Sequence, residues 1–161
     1  FDLLRPGAAL HGINPHPGTP NPLRQAVTLA ARVVQMREIA AGDIVGYGAR
    51  YRACAPRRIA TIAIGYADGW LRALSGQSYG FVDGVALPFV GTVSMDSITL
   101  DASALPAGRL APGDTVDLLC AEQTVDTVAA QAGTIGYEVL TRLGSRFQRR
   151  YLGDEGDLPG S

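Results

Sequence analysis

Three short segments place tyrosine, aspartate or methionine among glycines, an arrangement that could expose these side chains for proton exchange or binding. An exposed phenol can exchange a proton, although an ordinary pKa of about 10 makes a phenol a poor base at neutral pH unless neighbouring charge lowers it. Glycine on both sides of Tyr47 would let the backbone approach another group closely and leave the phenol unshielded. The residues alone leave an alternative open, in which Tyr47, Tyr66 and Tyr137 are half-buried aromatic side chains whose hydroxyls reach carbonyl groups. The three segments are Val45-Gly-Tyr-Gly-Ala-Arg-Tyr51, Ile64-Gly-Tyr-Ala-Asp-Gly-Trp70 and Gly91-Thr-Val-Ser-Met-Asp96.

The side-chain inventory excludes several other kinds of chemistry. All 14 basic residues are arginines, so no mechanism that needs a lysine amine can run on this chain alone. Cys54 and Cys120 form no CxxC pattern, and His11 and His16 have no partner at metal-ligand spacing, so we expect no metal site. Two thiols indicate a reducing, cytoplasmic compartment without a disulfide framework. Each cysteine is most simply a small buried residue.

Length and composition indicate one ordinary soluble globular domain. The chain has 161 residues, of which 47% are hydrophobic and 18% charged, with a formal net charge of −1. Because 14 basic residues face 15 acidic ones, the chain has no cationic excess with which to bind nucleic acid. The longest nearly apolar run, Ile59 to Ala67, is far shorter than the ~20 residues that a membrane-spanning helix needs. Neither nucleic acid nor a membrane is therefore an expected partner.

Short antiparallel strands are the predicted elements that position these segments. Apolar residues alternate in the stretch from Leu23 to about Tyr51, so they would line one face of a strand. Asp83-Gly84 suits the primed turn of a tight hairpin, and Gly42-Asp43 suits a turn before the next strand. The spacing predicts a mainly β fold, a closed or nearly closed antiparallel barrel. The alternating residues are Val27, Leu29, Ala31 and Val33, and further strands are predicted at Ile44-Val45, Ile59 to Ile64, Phe89-Val90, Ser97 to Leu100 and Thr115 to Leu119.

One or two short helices are predicted after Cys120, where apolar residues recur at helical spacing. The first would have Thr124 as its N-cap and Gly133 just past its end. The second would start at Thr134 and stop at Gly144. The residues predicted to face inward are Val125, Val128, Ala129 and Ala132 in the first helix, and Ile135, Val139, Leu140 and Leu143 in the second.

The glycine and tyrosine segments, taken in order with several others, resemble the C-terminal part of the alanine racemases that use pyridoxal phosphate. The resemblance runs from Arg5 to Tyr151 and so covers nearly the whole chain. Each motif alone is weak, but five in the family's order and near its spacings are specific. The motifs are Arg5-Pro-Gly-Ala-Ala-Leu10, Gly46-Tyr-Gly-Ala-Arg-Tyr51, Gly65-Tyr-Ala-Asp-Gly69, Ser94-Met-Asp96 and Thr134-Ile-Gly-Tyr-Glu-Val-Leu-Thr-Arg142, followed by Ser145-Arg146 and Arg149-Arg-Tyr151.

The resemblance implies how the chain is divided. Residues 1–22 would be the last strand segment of an absent α/β barrel of the TIM type, followed by a linker, and residues 23–152 the mainly β C-terminal domain. Residues 153–161 are predicted to be a disordered tail. We expect Phe1 to Leu10 to be a strand without its barrel, either flexible or docked on a neighbouring chain. In such enzymes the N-terminal barrel domain holds the cofactor, and the C-terminal domain faces the active site of the partner subunit in a homodimer.

The resemblance also assigns roles to four residues that would bind pyridoxal phosphate. Arg5 matches the arginine that hydrogen-bonds the pyridine nitrogen. Gly7 and Ala8 match residues whose backbone N–H groups meet the cofactor phosphate, and Tyr137 matches the tyrosine whose hydroxyl binds the same phosphate.

Three further residues match those that act on the substrate. Tyr47 matches the catalytic tyrosine, which exchanges the α-proton on the face opposite the lysine. Met95 matches a residue whose backbone N–H contacts the substrate carboxylate, and Tyr66 an aromatic side chain at the substrate entrance. The implied activity is the interconversion of L- and D-alanine for peptidoglycan precursors, although this chain alone should be inactive because it has no lysine. The alternative is a non-catalytic β-barrel module that binds protein or RNA, since such barrels share the short strands and Gly-Asp turns.

Overall fold

The computed structural model describes residues 3–16 and 18–153, and these residues form a nearly closed antiparallel barrel with two short helices. The long strand β1 pairs with β8 through its first half and with β4 through its second half, with a register shift in each pairing. The strands are β1 (Leu29–Ile39), β2 (Ile44–Val45), β3 (Tyr51–Arg52), β4 (Arg57–Ile62), β5 (Tyr79–Val82), β6 (Val85–Pro88), β7 (Ile98–Asp101) and β8 (Thr115–Leu119), and the helices are α1 (Val125–Ala132) and α2 (Gly136–Arg142).

The predicted mainly β, nearly closed barrel is confirmed by the strand order. Six strands form one sheet in the order β6-β5-β8-β1-β4-β7, and every neighbouring pair is antiparallel. A bridge between Phe89, just after β6, and Leu100 in β7 brings the two edges of the sheet together. Alternate residues of β1 point into this barrel, where Leu29, Ala31 and Val33 are buried as their spacing predicts.

The turn of the β5–β6 hairpin follows directly from local chemistry. Asp83 and Gly84 both have positive φ, at 50° and 77°, which is the primed turn predicted for the β5–β6 hairpin. Strands β2 and β3 form a separate two-stranded hairpin, in which Val45 pairs with Tyr51. This small hairpin packs through Val45 onto a second core with Ile39 and Ile59, so it projects from the main barrel.

The helices follow the prediction at α1 and depart from it at α2. Thr124 accepts a hydrogen bond from the N–H of Thr127 at 3.2 Å, and Gly133 ends α1 at a φ of 69°. The prediction that Ile135 faces inward is wrong, since its side chain is 65% exposed. Gly136 is buried in its place because Ile13 packs against it, and a Cβ at Gly136 would lie 3.0 Å from that side chain.

The N-terminal segment does not form the expected strand. Residues 3–7 have no regular secondary structure, and Ala8–His11 is a single turn of 3₁₀ helix. A strand needs a neighbouring strand for its hydrogen bonds, and none of the described strands pairs with this segment. Phe1 and Asp2, like residues 154–161 of the predicted tail, lie outside the described residues.

The expectation that both cysteines are buried is also wrong. Cys54 is exposed in the loop between β3 and β4, and Cys120 is half-buried. Within the described part of the chain, no helix is long and apolar enough to cross a bilayer.

Candidate active site

Tyr47 sits on a tight turn that presents its ring to the outside. The turn joins β2 to β3, and Gly46, Gly48 and Ala49 all have positive φ, at 78°, 73° and 52°. Such a backbone is open to glycine and strained for alanine. The Tyr47 side chain is 78% exposed, and its hydroxyl makes no hydrogen bond with any described residue. The alternative of a half-buried strand aromatic is therefore wrong for Tyr47.

Close backbone packing holds this turn against the segment that follows β6. Gly91 lies so near the β2 hairpin that a Cβ there would come within 2.9 Å of the carbonyl oxygen of Val45. The hydroxyl of Thr92 donates to the carbonyl oxygen of Tyr47 at 3.4 Å. The sequence signal for this contact is the glycine at position 91, because only a residue without a side chain allows the approach.

Tyr66 and Met95 are brought together by their backbones. The N–H of Tyr66 donates to the carbonyl oxygen of Ser94 at 3.0 Å, and the N–H of Ala67 donates to that of Met95 at 2.9 Å. A Cβ at Gly65 would lie 2.3 Å from each of those two carbonyl oxygens. The Tyr66 and Met95 side chains are 42% and 54% exposed, and the Met95 N–H donates to no described residue. This backbone N–H is thus available to an anion.

A shallow cavity of about 340 Å³ lies beside the Tyr47 turn. Tyr47 and Ser94 line it together with outward-facing polar side chains of the barrel strands, including Gln35, Arg37, Thr61 and Thr99. The structure therefore brings Tyr47 and Ser94 to one cavity, whose lining includes neither Tyr66 nor Met95. Among residues 3–16 and 18–153, no three or more His, Cys, Asp or Glu side chains lie close enough to hold a metal ion.

An ion-pair cluster ties the Tyr66 turn to the Met95 segment. The Arg146 Nε lies 3.2 Å from Oδ1 of Asp68, and its Nη1 lies 2.9 Å from Oδ1 of Asp96. The hydrogen bond to Asp96 and the charge of Asp68 raise the pKa of Arg146. Sequence analysis missed this cluster, although all three residues lie inside motifs that carry the resemblance. Their separation along the chain hid the contact.

A second group forms at the N-terminal end of the chain. The N–H of Ala8 donates to the Tyr137 hydroxyl at 2.8 Å, and a Cβ at Gly7 would lie 2.6 Å from that oxygen. The hydroxyl accepts this bond, so its own proton is free to donate. The Gly7 N–H likewise donates to no described residue. Two donors and a position without a side chain suit the oxygens of a phosphate. Arg5 is exposed in the irregular segment before this group.

The Asp126 side chain of α1 and the Gln25 side chain that precedes β1 tie the N-terminal segment to the start of α1. Asp126 accepts a hydrogen bond from the N–H of Asn14 at 2.9 Å, and the Gln25 side chain accepts one from the N–H of Val125 at 2.8 Å. Sequence analysis missed these contacts as well. No hydrogen bond between described residues joins the Gly7, Ala8 and Tyr137 group to the Tyr47, Tyr66 and Met95 group.

Comparison with known proteins identifies similar chains along almost the whole length. The family "Alanine racemase, C-terminal domain" matches residues 26–151. A catabolic alanine racemase of Mesorhizobium japonicum is 58% identical over 152 residues, which cover 94% of this chain and 39% of the relative. An alanine racemase of Methylobacterium nodulans is 49% identical over 151 residues, which cover 94% of this chain and 41% of the relative.

Solved structures share the fold as well as the sequence. The crystal structure of alanine racemase from Bartonella henselae with covalently bound pyridoxal phosphate has 45% identity and a TM-score of 0.88, covering 94% of this chain and 42% of that one. The alanine racemase of Streptomyces coelicolor has 34% identity and a TM-score of 0.87, covering 96% of this chain and 42% of that one. This chain therefore spans about two fifths of the length of the relatives that it matches.

Proposed function

We propose that this chain, which belongs to the alanine racemase C-terminal domain family, supplies the acid/base tyrosine of an enzyme that interconverts L- and D-alanine. One observation carries the proposal: Tyr47 is 78% exposed on a strained, glycine-flanked turn, and its hydroxyl has no partner among the described residues. An isolated globular domain gains nothing from such a placement, whereas a site completed by a second subunit requires it. The enzyme would be a cytoplasmic homodimer that provides D-alanine for peptidoglycan precursors.

The residues of the second group fit pyridoxal phosphate as the cofactor. The Gly7 N–H and the Tyr137 hydroxyl proton are free to donate to phosphate oxygens, and a side chain at position 7 would fill the space between them. The Ala8 N–H, which now donates to Tyr137, would share the same phosphate. Arg5 would donate an N–H of its guanidinium to the pyridine nitrogen. Bound pyridoxal phosphate withdraws electrons from the Cα of an amino acid and so acidifies its α-proton.

Racemisation needs two acid/base groups on opposite faces of the α-carbon. Tyr47 would hold or deliver the proton on one face. The lysine on the other face has to come from the N-terminal barrel domain of the enzyme, because this chain contains no lysine. The exposure of Tyr47 supports the idea that it reaches into the active site of the partner subunit.

Met95 and Tyr66 would orient the substrate. The Met95 N–H would donate to the carboxylate of alanine, a role supported by its lack of a partner among the described residues. Tyr66 would line the entrance, since its turn is fixed directly on the carbonyl groups of Ser94 and Met95. Because a backbone N–H does not depend on the side chain, the Met95 side chain itself matters little.

The chain by itself should neither racemise alanine nor bind pyridoxal phosphate covalently. The physical reason is the missing lysine: only the α-amino group of Phe1 could react with the aldehyde. Absorbance spectra of the chain mixed with the cofactor test this, before and after acetylation of that amino group. A stoichiometric band that survives acetylation would contradict the expectation.

The test of the proposed function is Tyr47→Phe in the full-length enzyme. Only one oxygen is lost from a ring that is 78% exposed, so the fold and the absorbance of the bound cofactor should persist. Racemisation should fall at least about 10²-fold, as is usual when one positioned acid/base group is removed. Solvent exchange of the α-proton in single turnovers should fall more for L-alanine, whose proton would face Tyr47, than for D-alanine.

Tyr79→Phe provides the matched control. Tyr79 lies in β5, is about as exposed as Tyr66, and packs against Phe81 with ring centroids 6.5 Å apart. Loss of its hydroxyl should leave racemisation unchanged. Wild-type rates for Tyr47→Phe in both directions would overturn the acid/base role of Tyr47, whereas a full-length protein without racemase activity would favour the non-catalytic binding module.

A further inference from the structure

The Arg146 guanidinium joins two loops that also meet through backbone hydrogen bonds. One loop carries Tyr66 and ends in Asp68, and the other carries Met95 and continues into Asp96. The guanidinium lies 3.2 Å from the Asp68 carboxylate and 2.9 Å from that of Asp96. One side chain from the C-terminal segment therefore restrains both loops at once.

The Asp68 end of this bridge is part of the backbone structure. Asp68 is 8% exposed, and its second carboxylate oxygen accepts the N–H of Gly65 at 2.8 Å. The carboxylate thus fixes the start of the Tyr66 turn with one oxygen and meets Arg146 with the other. A buried carboxylate that loses its cation is costly, so this turn depends on Arg146.

The Asp96 carboxylate places a negative charge next to the Met95 N–H. Asp96 directly follows Met95, and Asp68 belongs to the turn that contacts the Met95 carbonyl oxygen. Both carboxylates would repel an approaching substrate carboxylate if they were left without a cation. Arg146 offsets that negative charge. Hydrogen bonding to Asp96, together with the charge of Asp68, raises its pKa and keeps it protonated.

We propose that Arg146 is a positioning residue for the substrate carboxylate: it holds the Met95 N–H and the Tyr66 turn in place through Asp96 and Asp68. It acts without touching the substrate. The inference rests on the proposed function, because the Met95 N–H matters only if it receives a carboxylate.

The test uses Arg146→Gln in the full-length enzyme with pyridoxal phosphate bound. KM for alanine should rise about tenfold, the size expected when a charge-assisted hydrogen bond is lost, whereas kcat should change less than about twofold. The inhibition constant of acetate, which carries the carboxylate without the amine, should rise by the same factor as KM. Arg146→Lys keeps the charge and should recover part of the loss.

Two further variants keep the inference falsifiable. Asp96→Ala removes an exposed partner with little risk to folding, and it should also raise KM and the acetate constant because the Met95 loop loses its tie. Arg109→Gln is the control: Arg109 forms an exposed ion pair with Asp83 at the far hairpin turn, and its loss should leave both constants unchanged.

The outcomes separate this inference from the proposed function. If Arg146→Gln and Asp96→Ala leave KM and the acetate constant unchanged, or lower kcat alone, the positioning role of Arg146 is wrong. If Tyr47→Phe also keeps wild-type rates, the proposed function falls with it. If Tyr47→Phe loses activity, only the role of Arg146 is overturned.

Discussion

The two groups of site residues are held together by different kinds of contact. On the side of Tyr66 and Met95, backbone meets backbone, and a Cβ at Gly65 would lie 2.3 Å from carbonyl oxygens. On the side of Ala8 and Tyr137, the contact runs through one phenol hydroxyl at the end of a half-exposed side chain. A backbone cannot be turned aside by rotating a χ angle, whereas a phenol at the surface can. Backbone contacts therefore fix the Tyr66 and Met95 group, whereas the Ala8 and Tyr137 group depends on one side chain.

The largest expected loss of stability tests the backbone contacts of the Tyr66 and Met95 group. Gly65→Ala should lower the free energy of unfolding of this chain by about 3 kcal/mol, because the carbonyl oxygens of Ser94 and Met95 cannot move away. The backbone at Gly65 is extended, so the clash alone decides the outcome. Urea denaturation measures it.

Gly144→Ala is the matched control, since a Cβ there meets its nearest atom, the Asp68 carbonyl oxygen, at an ordinary 3.8 Å. Its effect should stay within about 0.5 kcal/mol. Equal stability losses for the two variants would show that backbone packing at Gly65 is not what fixes the Tyr66 turn.

An intermediate loss of stability is expected for Tyr137→Phe, in the Ala8 and Tyr137 group. The Ala8 N–H loses its acceptor, and because Ala8 is only 8% exposed, the unpaired donor should lower the free energy of unfolding by about 1–2 kcal/mol. Affinity of the full-length apoenzyme for pyridoxal phosphate should fall about tenfold, because a hydrogen bond to a charged phosphate is the stronger kind. Fluorescence titration measures the affinity, with Tyr79→Phe as the control. Unchanged affinity would contradict the phosphate role of Tyr137.

A smaller effect should follow from Gly7→Ala. A Cβ at position 7 would press on the Tyr137 hydroxyl from 2.6 Å, but that ring can swing outward. The free energy of unfolding should therefore fall by no more than about 1 kcal/mol, well below the loss for Gly65→Ala. Urea denaturation of both variants under one condition decides the comparison. A loss at Gly7 as large as that at Gly65 would show that both groups are equally rigid.

The smallest effect concerns the ion pair on α2 beside Tyr137. Hydrogen bonds from Thr134 and Arg142 lower the pKa of Glu138. A lowered folded pKa stabilises the protein above the unfolded value of about 4.3, and this stabilisation disappears as pH falls through the folded pKa.

Glu138→Gln should therefore lower the urea midpoint slightly at pH 7, and this deficit should shrink as the pH falls through the lowered pKa of Glu138. Glu38→Gln, at an exposed position of β1, should not show this pH-dependent difference. A Glu138→Gln deficit that does not shrink between pH 7 and acidic pH would mean that packing, rather than the carboxylate charge, is responsible.

Much of the fold could be predicted because local physics decides it. The alternation of Leu29, Ala31 and Val33 matches the two-residue period of a strand with one buried face. Asp83 and Gly84 tolerate the positive φ that a primed turn demands, and Thr124 can cap a helix within its own turn. Each of these features depends on residues that are neighbours in the chain.

The incorrect predictions fall where distant residues decide burial. Ile135 points outward because Ile13, which lies far away in the sequence, packs directly against the backbone of Gly136. The expected N-terminal strand fails for a related reason: its hydrogen-bonding partners are not among the described strands. Cys54 is exposed because it falls in a loop outside the core, which its residue type does not reveal.

For the candidate site, the motifs by themselves determined which residues to examine: Tyr47 between its glycines, and Tyr66 and Met95 through the family resemblance. Only the tertiary structure decided how they are held. Arg146 meets Asp96 across 50 residues of sequence, and Ala8 meets Tyr137 across 129. Such pairings carry no local periodicity or turn chemistry, because they arise only when the folded chain brings distant segments into contact.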